Sequence, residues 1–197
     1  MSPETFIFFG RSGSGKGTQA DLLISYLQKK DPERKVIHIE TGKQIREFLA
    51  ENTYTSKLTQ NIVKNGGLLP AFLPIWVWTE YLIRNFSGNE HLVLDGLSRR
   101  ASEAPVLDSA LSFYGIKHPF IILLNISREW SKERLLNRGR SDDTVTDIER
   151  RLDWYDNNVL PSIEFFRTKP EYTFIEVNGE QSIEKTHSDI LKITGLS

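Results

Sequence analysis

The sequence predicts an α/β fold in which a doubly wound, parallel, five-stranded sheet is flanked by helices. Runs rich in β-branched and aromatic residues recur along the chain, at 5–10, 35–42, 91–96, 119–127 and 172–179, and helix-length segments separate them. Several runs are continuously apolar, as expected for strands that are buried on both faces of a parallel sheet. Strands that alternate with helices in this way are typical of open, doubly wound sheets.

The helical segments are predicted from their periodicity and from their stop signals. Residues 57–85 are expected to form two helices, because NGGLLP between them combines glycines that end a helix with a proline that fixes a turn. Residues 144–166 predict one longer helix, since apolar residues recur there three or four positions apart. Pro161 is expected to kink this helix near its end, because proline lacks the backbone N–H donor.

Composition excludes several classes of protein. The chain has 197 residues, 39% of them hydrophobic, which suits one globular domain with a sizeable core. The formal net charge of -1 argues against nucleic-acid binding, and the absence of cysteine excludes a disulfide framework and thiolate metal sites. The N-terminal segment has no signal-peptide pattern, and no run approaches the ~20 apolar residues of a membrane span. A cytoplasmic protein without a membrane partner is therefore expected.

The segment GRSGSGKGTQ follows the first predicted strand and predicts a loop that grips phosphate. Its glycines let successive backbone N–H groups point inward, and the following helix adds its positive end. Lys16 supplies a point charge for the terminal phosphates of a nucleotide. Gly17 stands where the common motif has a Ser or Thr that holds magnesium. The loop residues expected to contact a nucleotide donor are Gly13, Ser14, Gly15, Lys16, Gly17 and Thr18.

Five segments, in order along nearly the whole chain, resemble the motifs of adenylate kinases and related nucleoside monophosphate kinases. They are GSGKGTQA, ETGKQIR, GGLLP, LDGLSRRASEA, and ERLLNRGRSDD with IERRLDWY. The Gly-Thr pair after the lysine is typical of that family, so the missing hydroxyl is a family trait. The resemblance implies a P-loop fold and reversible phosphoryl transfer from ATP to AMP that gives two ADP and depends on Mg²⁺.

The resemblance also implies a set of site residues. Charge compensation during transfer would come from Lys16, Arg99, Arg138, Arg140 and Arg151. Arginine suits this task, because its planar fork stays charged and grips phosphate oxygens in pairs. On the donor side, Arg134, Arg138 and Gln181 would join the phosphate loop. The acceptor would be bordered by Thr41, Gly42, Arg46, Leu68, Gly96, Arg99, Glu103, Arg140 and Arg151. Asp95 would hold magnesium through water, whereas Arg100, Arg150 and the tryptophans are assigned to surface or packing.

The expected organisation is a single nucleoside monophosphate kinase domain over 1–197. Its core would comprise 1–40, 86–137 and 144–197, its monophosphate-binding helices 41–85, and its residual lid loop 138–143. The lid is strongly shortened, since RGRSDD runs together two motifs that several residues separate in the family. Lids exclude water, so a short one predicts weaker donor affinity or some hydrolysis of ATP without acceptor.

Two side chains depart from the family pattern. Lys43 replaces an aspartate, and it is either a surface lysine or a contact of Asp95 or of a nucleotide phosphate. Glu103 replaces the glutamine that reads adenine, and a carboxylate only accepts hydrogen bonds, which suits the donors of guanine better. Thr41 matches the adenine-side threonine, so AMP is the favoured acceptor. GMP, CMP or UMP, or a regulatory nucleotide-binding module with weakened catalysis, are the alternatives. The oligomeric state stays open.

Overall fold

The computed structural model describes residues 2–64, 67–139 and 144–196. Its strands are β1 (Thr5–Gly10), β2 (Val36–Glu40), β3 (His91–Asp95), β4 (Phe120–Asn125) and β5 (Thr173–Asn178). They form one parallel sheet of five strands in the order β2-β3-β1-β4-β5. The five strands predicted from the sequence are therefore confirmed.

The described helices alternate with these strands. They are α1 (Lys16–Lys30), α2 (Thr41–Leu49), α3 (Tyr54–Lys64), α4 (Phe72–Asn85), α5 (Ala104–Phe113), α6 (Arg128–Arg138), α7 (Val145–Trp154), α8 (Leu160–Arg167) and α9 (Ile183–Ile193). None of these described helices is long and apolar enough to cross a bilayer.

Helices cover both faces of the sheet, as the doubly wound prediction requires. On one face, Phe6 and Phe8 of β1 share a buried cluster with residues of α1 and α9. On the other face, Ile7 and Phe9 share a buried cluster with residues of α4, α5 and α8. Successive residues of a strand point to opposite faces, so one apolar run supplies both cores.

The segment between β2 and β3 forms the helical insertion that the sequence predicts. The helices α3 and α4 confirm the two expected within 57–85, and residues 65–66 between them lie outside the described residues. Phe48 of α2 packs edge-on against Trp76 of α4, with 5.2 Å between the ring centroids. The insertion thus packs through its own aromatic contacts beside the edge of the sheet where β2 ends.

The long helix predicted over 144–166 is present, but its irregularity is a π-turn rather than a simple proline kink. The turn, Tyr155–Val159, joins α7 to α8, and the Leu160 N–H donates to the Tyr155 carbonyl. Pro161 follows at once and has no N–H to continue the regular α-helical bonding. The π-turn therefore lies just before the proline, and turns of this kind are frequent at functional sites.

Candidate functional site

The phosphate loop connects β1 to α1 at the carboxyl edge of the sheet, where such folds bind ligands. Gly13 and Gly15 have positive φ angles of 80° and 89°, which glycine adopts without strain. Gly15 is the N-cap of α1, and no side chain caps the first turn of that helix. The free N–H groups of this turn suit an anion. The buried Ser14 hydroxyl has no hydrogen-bond partner among the described residues.

Lys16 lies folded back into the loop. Its Nζ donates to the carbonyl oxygens of Gly10 at 2.8 Å and of Arg11 at 3.0 Å. Desolvation lowers the pKa of Lys16 to about 8; Asp95 opposes this effect, and Arg99 adds to it. A phosphate in the loop would replace weak carbonyl partners with a full negative charge. The lysine is therefore placed and charged to bind an anion below about pH 8.

Asp95 ends β3 beside the phosphate loop and is only 7% exposed. Its Oδ1 has no hydrogen-bond partner among the described residues. Burial raises the pKa of Asp95, and the positive charges of Lys16 and Arg99 oppose that effect. A Cβ at Gly17 would lie 3.8 Å from Asp95 Oδ2, so the start of α1 approaches this carboxylate closely.

The donor set fits a magnesium ion that the protein holds only indirectly. An unpartnered carboxylate oxygen such as Asp95 Oδ1 suits a metal-bound water, because magnesium keeps several waters and takes few protein ligands. Across residues 2–64, 67–139 and 144–196, no group of three His, Cys, Asp or Glu side chains could hold a metal ion. The geometry therefore suits a metal that arrives with a nucleotide.

Two cavities meet at this edge of the sheet. The larger, of about 500 Å³, lies between α2, α4 and the π-turn, and the smaller, of about 110 Å³, lies beside Lys16. Predicted acceptor residues that line the larger cavity are Thr41, Gly42, Leu68, Gly96, Arg99, Glu103 and Arg151. Residues that line both cavities are Gly96, Leu97, Arg99, Arg151 and Trp154. Arg99 and Arg151 therefore face a group in either cavity.

Among the acceptor-side arginines that the structure describes, Arg46 is the one that does not line the larger cavity. Its side chain is 64% exposed and pairs with Glu40, with 3.0 Å between Arg46 Nη2 and Glu40 Oε1. A Cβ on Gly42, which does line the cavity, would lie 3.3 Å from Arg46 Nη1. Arg46 thus stands at the mouth of the cavity, paired with a carboxylate.

The turn after β3 positions the side chain of Arg99. Gly96 and Ser98 have φ angles of 74° and 54°, and the Ser98 carbonyl accepts a hydrogen bond from the Ser162 hydroxyl at 2.6 Å. Arg99 curls back so that its Nε donates to the Gly96 carbonyl at 3.0 Å. A Cβ on Gly96 would lie only 2.5 Å from Arg99 Nη2. The missing side chain at Gly96 leaves the space that this guanidinium occupies.

Replacing Gly96 with alanine is expected to displace the Arg99 guanidinium and to lower kcat by at least about tenfold, since small misplacements of catalytic groups are costly. The left-handed backbone alone should cost about 1–2 kcal/mol of stability. Gly115→Ala is the matched control, because its φ is 68° and nothing lies within 4 Å of the added Cβ. Steady-state kinetics and denaturant unfolding of both variants check this expectation. Equal losses of activity in the two variants would contradict it.

Glu103 is buried, at 3% exposure, and both of its carboxylate oxygens bond to the chain itself. Glu103 Oε2 accepts from the Arg99 backbone N–H at 2.7 Å, and Oε1 accepts from Arg100 Nη1 at 3.2 Å. Glu103 thus lines the larger cavity while it fixes the turn that carries Arg99. Its predicted contact with the acceptor base stays a prediction.

The assignment of Arg100 to the surface is wrong. Its side chain is 20% exposed, its Nη2 donates to the Leu69 carbonyl at 2.5 Å, and its guanidinium lies 5.0 Å from the centroid of the Trp154 ring. These contacts join segments far apart in the sequence, so no local pattern could reveal them. Arg100 links the cavity's outer wall to the turn after β3.

Two of the tryptophans that the sequence assigns to packing line a cavity: Trp78 lines the larger one, and Trp154 lines both. Its helical spacing is that of an ordinary packing residue, and it is partly buried. Arg150 forms the ion pair expected of a surface arginine, 2.5 Å from Asp147, and it also lines the larger cavity. Lys43 is exposed and contacts neither Asp95 nor another charged group among the described residues, which favours the surface interpretation.

The structure places only some of the other predicted donor-side residues near the phosphate loop. Arg134 and Arg138 are exposed residues of α6, and Arg138 contributes to the electrostatic lowering of the Lys16 pKa. Gln181 lies between β5 and α9 and donates to Asp189 at 2.8 Å. Arg140 and residues 141–143, which include most of the predicted lid loop, lie outside the described residues.

Comparison with known proteins identifies the family to which this site belongs. A family model described as adenylate kinase matches residues 8–171. An adenylate kinase of Porphyromonas gingivalis is 33% identical over 167 residues, which cover 83% of this chain and 82% of that protein. Adenylate kinase 1 of a Nostoc species is 30% identical over 189 residues, 96% of this chain and 97% of that protein. An adenylate kinase of Prochlorococcus marinus is 32% identical over 188 residues, 93% of this chain and 94% of that protein.

Proposed function

Because the chain belongs to the adenylate kinase family and is thus a nucleoside monophosphate kinase, we propose that it transfers a phosphoryl group reversibly from ATP to AMP, with magnesium, giving two ADP. One observation supports this proposal most directly. Arg99 and Arg151 line both the cavity beside Lys16 and the larger cavity. A phosphoryl group that leaves a donor in the loop for an acceptor in the larger cavity would meet these two cations on its way.

The donor phosphates are held by the phosphate loop in this proposal. The free N–H groups at the start of α1 and the Lys16 ammonium face the same space beside β1. Phosphoryl transfer leaves little covalent chemistry to the protein, so alignment and charge neutralisation account for most of the catalysis. Arg138 and Arg140 would add charge from the end of α6 and the segment that follows it, and Arg134 would lie against the donor base.

Magnesium would reach the site with ATP, with Asp95 holding its waters. The ion supplies charge neutralisation on the donor phosphates when it is bound. The unpartnered Oδ1 of Asp95, close to the start of α1, supports this role for that carboxylate. Asp95 also keeps Lys16 charged, because its negative charge opposes the desolvation that lowers the lysine pKa.

The acceptor would lie in the larger cavity, between the core and residues 41–85. Residues of that insertion that line the cavity include Thr41, Gly42, Ile45, Leu68, Pro74 and Trp78. The buried Thr41 hydroxyl has no partner among the described residues and can bond to a purine edge. Arg46 and Arg99 would hold the acceptor phosphate from the mouth and the floor of the cavity.

GMP is the second candidate acceptor, and Glu103 is the observation that favours it. An ionised carboxylate suits the two neighbouring donors of guanine, whereas adenine offers it only an amino group. Both Glu103 oxygens already accept hydrogen bonds from residues 99 and 100, which leaves this carboxylate less free to select the base. AMP is therefore placed first.

A panel of AMP, GMP, CMP and UMP with ATP and magnesium tests the proposal. AMP is expected to give a kcat/KM at least about tenfold above that of each other acceptor. A higher value for GMP would reassign the acceptor to a guanine nucleotide. Tight binding of ATP and AMP without formation of ADP would favour a regulatory module over an enzyme.

A further inference from the structure

Arg11, a residue of the phosphate loop, forms an ion pair outside the proposed donor site. Its main chain belongs to the loop, since its carbonyl accepts from Lys16 Nζ at 3.0 Å and from the Ser14 N–H at 3.2 Å. Its side chain, 17% exposed, leaves the loop and donates from Nη1 to Asp156 Oδ1 at 2.5 Å. The guanidinium also lies 4.5 Å from the centroid of the Tyr155 ring. Arg11 itself lines neither cavity.

Both partners of Arg11 lie in the π-turn that follows Arg151. The Tyr155 N–H donates to the Arg151 carbonyl. One backbone hydrogen bond therefore connects Arg151 to the residue whose ring Arg11 contacts. Tyr155 is four residues after Arg151, which places the two on the same side of the helix. Both line the smaller cavity beside Lys16. The position of Arg151 over the donor site is thus tied to the loop through the Arg11 contact.

A second arginine fixes the same turn from α6. Arg128 donates from Nη1 to Asp156 Oδ2 at 3.0 Å, and from Nη2 to Asp153 at 2.6 Å and to Glu149 at 2.7 Å. Hydrogen bonds to Glu149 and Asp153 raise the pKa of Arg128, and bonds from Lys132 and Arg128 lower that of Glu149. Arg128 therefore holds α7 and the π-turn against α6, and Arg11 joins the π-turn to the phosphate loop.

We propose that Arg11 is a positioning residue that, through Asp156 and Tyr155, holds Arg151 in register with the phosphate loop for transfer. This inference rests on the proposed function, because it assigns Arg11 an effect only through Arg151. Misplacing a reacting or charge-stabilising group by about 1 Å can cost about 10²-fold in rate, so the contact needs only to restrict a small movement of α7. Arg11 has no contact with substrate in this proposal, and its loss should leave nucleotide affinity almost unchanged.

The first test separates transfer from binding. R11Q and D156N are each expected to lower kcat for ADP formation from ATP and AMP by about tenfold or more. The ATP dissociation constant, measured by calorimetry, should change less than twofold, which corresponds to about 0.4 kcal/mol. R11K, which keeps the charge, should recover part of the lost rate. A loss of ATP affinity equal to the loss of kcat would mean that Arg11 contacts the donor directly, and would overturn the proposal.

Arg167→Gln is the matched control. Arg167 also forms an ion pair, 2.9 Å from Glu164, and its guanidinium lies 4.1 Å from the centroid of the Phe174 ring, but it lines neither cavity. R167Q should lower the thermal midpoint about as much as R11Q while kcat changes less than about twofold. An equal loss of kcat in R167Q would show that R11Q acts through stability alone. If R11Q does not fold, D156N weakens the same contact from the other side together with the Arg128 bond to Asp156, and R11K then tests Arg11 with Asp156 unchanged.

The deciding test uses R151K as a background. R151K is expected to lower kcat strongly, and R11Q introduced into R151K should lower it by less than about twofold further, because coupled residues are not additive. A full additional loss in the double variant would overturn the inference while leaving the role of Arg151 intact. A normal kcat in R151K would instead remove Arg151 from the proposed function, and the role of Arg11 with it.

Discussion

Replacing Lys16 with methionine should lower kcat by about 10²- to 10³-fold, the usual cost of removing one preorganised charge-stabilising group. Lys16 Nζ lies against the loop carbonyls of Gly10 and Arg11, where a phosphate would bind. Methionine keeps the length of the side chain and removes the charge, so the loop should keep its fold. Steady-state kinetics with ATP and AMP, together with the ATP dissociation constant, measure the loss.

Lys29→Met is the control for this substitution. Lys29 is exposed at the far end of the same helix, and its side chain has no hydrogen bond or ion pair with another described residue. Its loss removes the same charge from α1, so kcat should change less than about twofold. A K16M enzyme with kcat close to that of K29M would contradict the assignment of Lys16 to the donor phosphates.

The free energy of unfolding of the unsubstituted protein and that of K16M are expected to depend differently on pH. The pKa of Lys16 in the ligand-free protein is lowered to about 8 from 10.5, so between these values the unfolded chain binds more protons than the folded one. The free energy of unfolding should therefore rise with pH from about 8 to 10.5, by about 2 kcal/mol relative to K16M. Denaturant unfolding of both proteins at pH 7.5 and pH 10 measures this. Parallel pH profiles would mean that Lys16 is not desolvated.

Replacing Arg99 with glutamine should lower kcat by about 10²- to 10³-fold, because one cation that lines both cavities is lost. Its neighbour Arg100 supplies the comparison. Arg100 bonds to the Leu69 carbonyl and to Glu103 on the acceptor side, and it does not line the smaller cavity. R100Q should therefore raise the KM for the acceptor more than it lowers kcat. The same kinetic change in both variants would contradict the distinct position of Arg99.

Stability measurements complete the comparison of the two arginines. Arg99 is exposed within the cleft and its side chain bonds to the Gly96 carbonyl, whereas Arg100 is partly buried and bridges two segments. R100Q should thus cost more stability than R99Q, by about 1 kcal/mol. The variant that loses more activity is then the one that loses less stability.

The strands and the phosphate loop could be predicted from the sequence because their signals are local. Residues 6–9 are a continuous apolar run that a glycine follows, and both features concern neighbours along the chain. The larger cavity could be outlined by family resemblance, as Thr41, Leu68 and Glu103 all line it. These residues come from separate segments, so composition and periodicity alone could not have joined them.

The contacts that sequence reasoning missed join residues distant in the chain. Arg11 and Asp156 are 145 positions apart, and Arg100 and Leu69 are 31 positions apart. An arginine beside a glycine loop or next to Arg99 carries no local sign of such a partner. Pro161 did indicate an irregular helix, but only the structure gives it as a π-turn that brings Asp156 to the phosphate loop.

In the proposed reaction, a phosphoryl group passes directly between two nucleotides that meet at Arg99 and Arg151. Phosphorus NMR of the protein with ATP, magnesium and saturating AMP tests this most directly, because it separates ADP from inorganic phosphate. The predicted result is the formation of two ADP for each ATP consumed, with a rate that falls in parallel in R99Q and R151K. Release of inorganic phosphate in place of ADP, or bound nucleotides that stay unchanged, would contradict it.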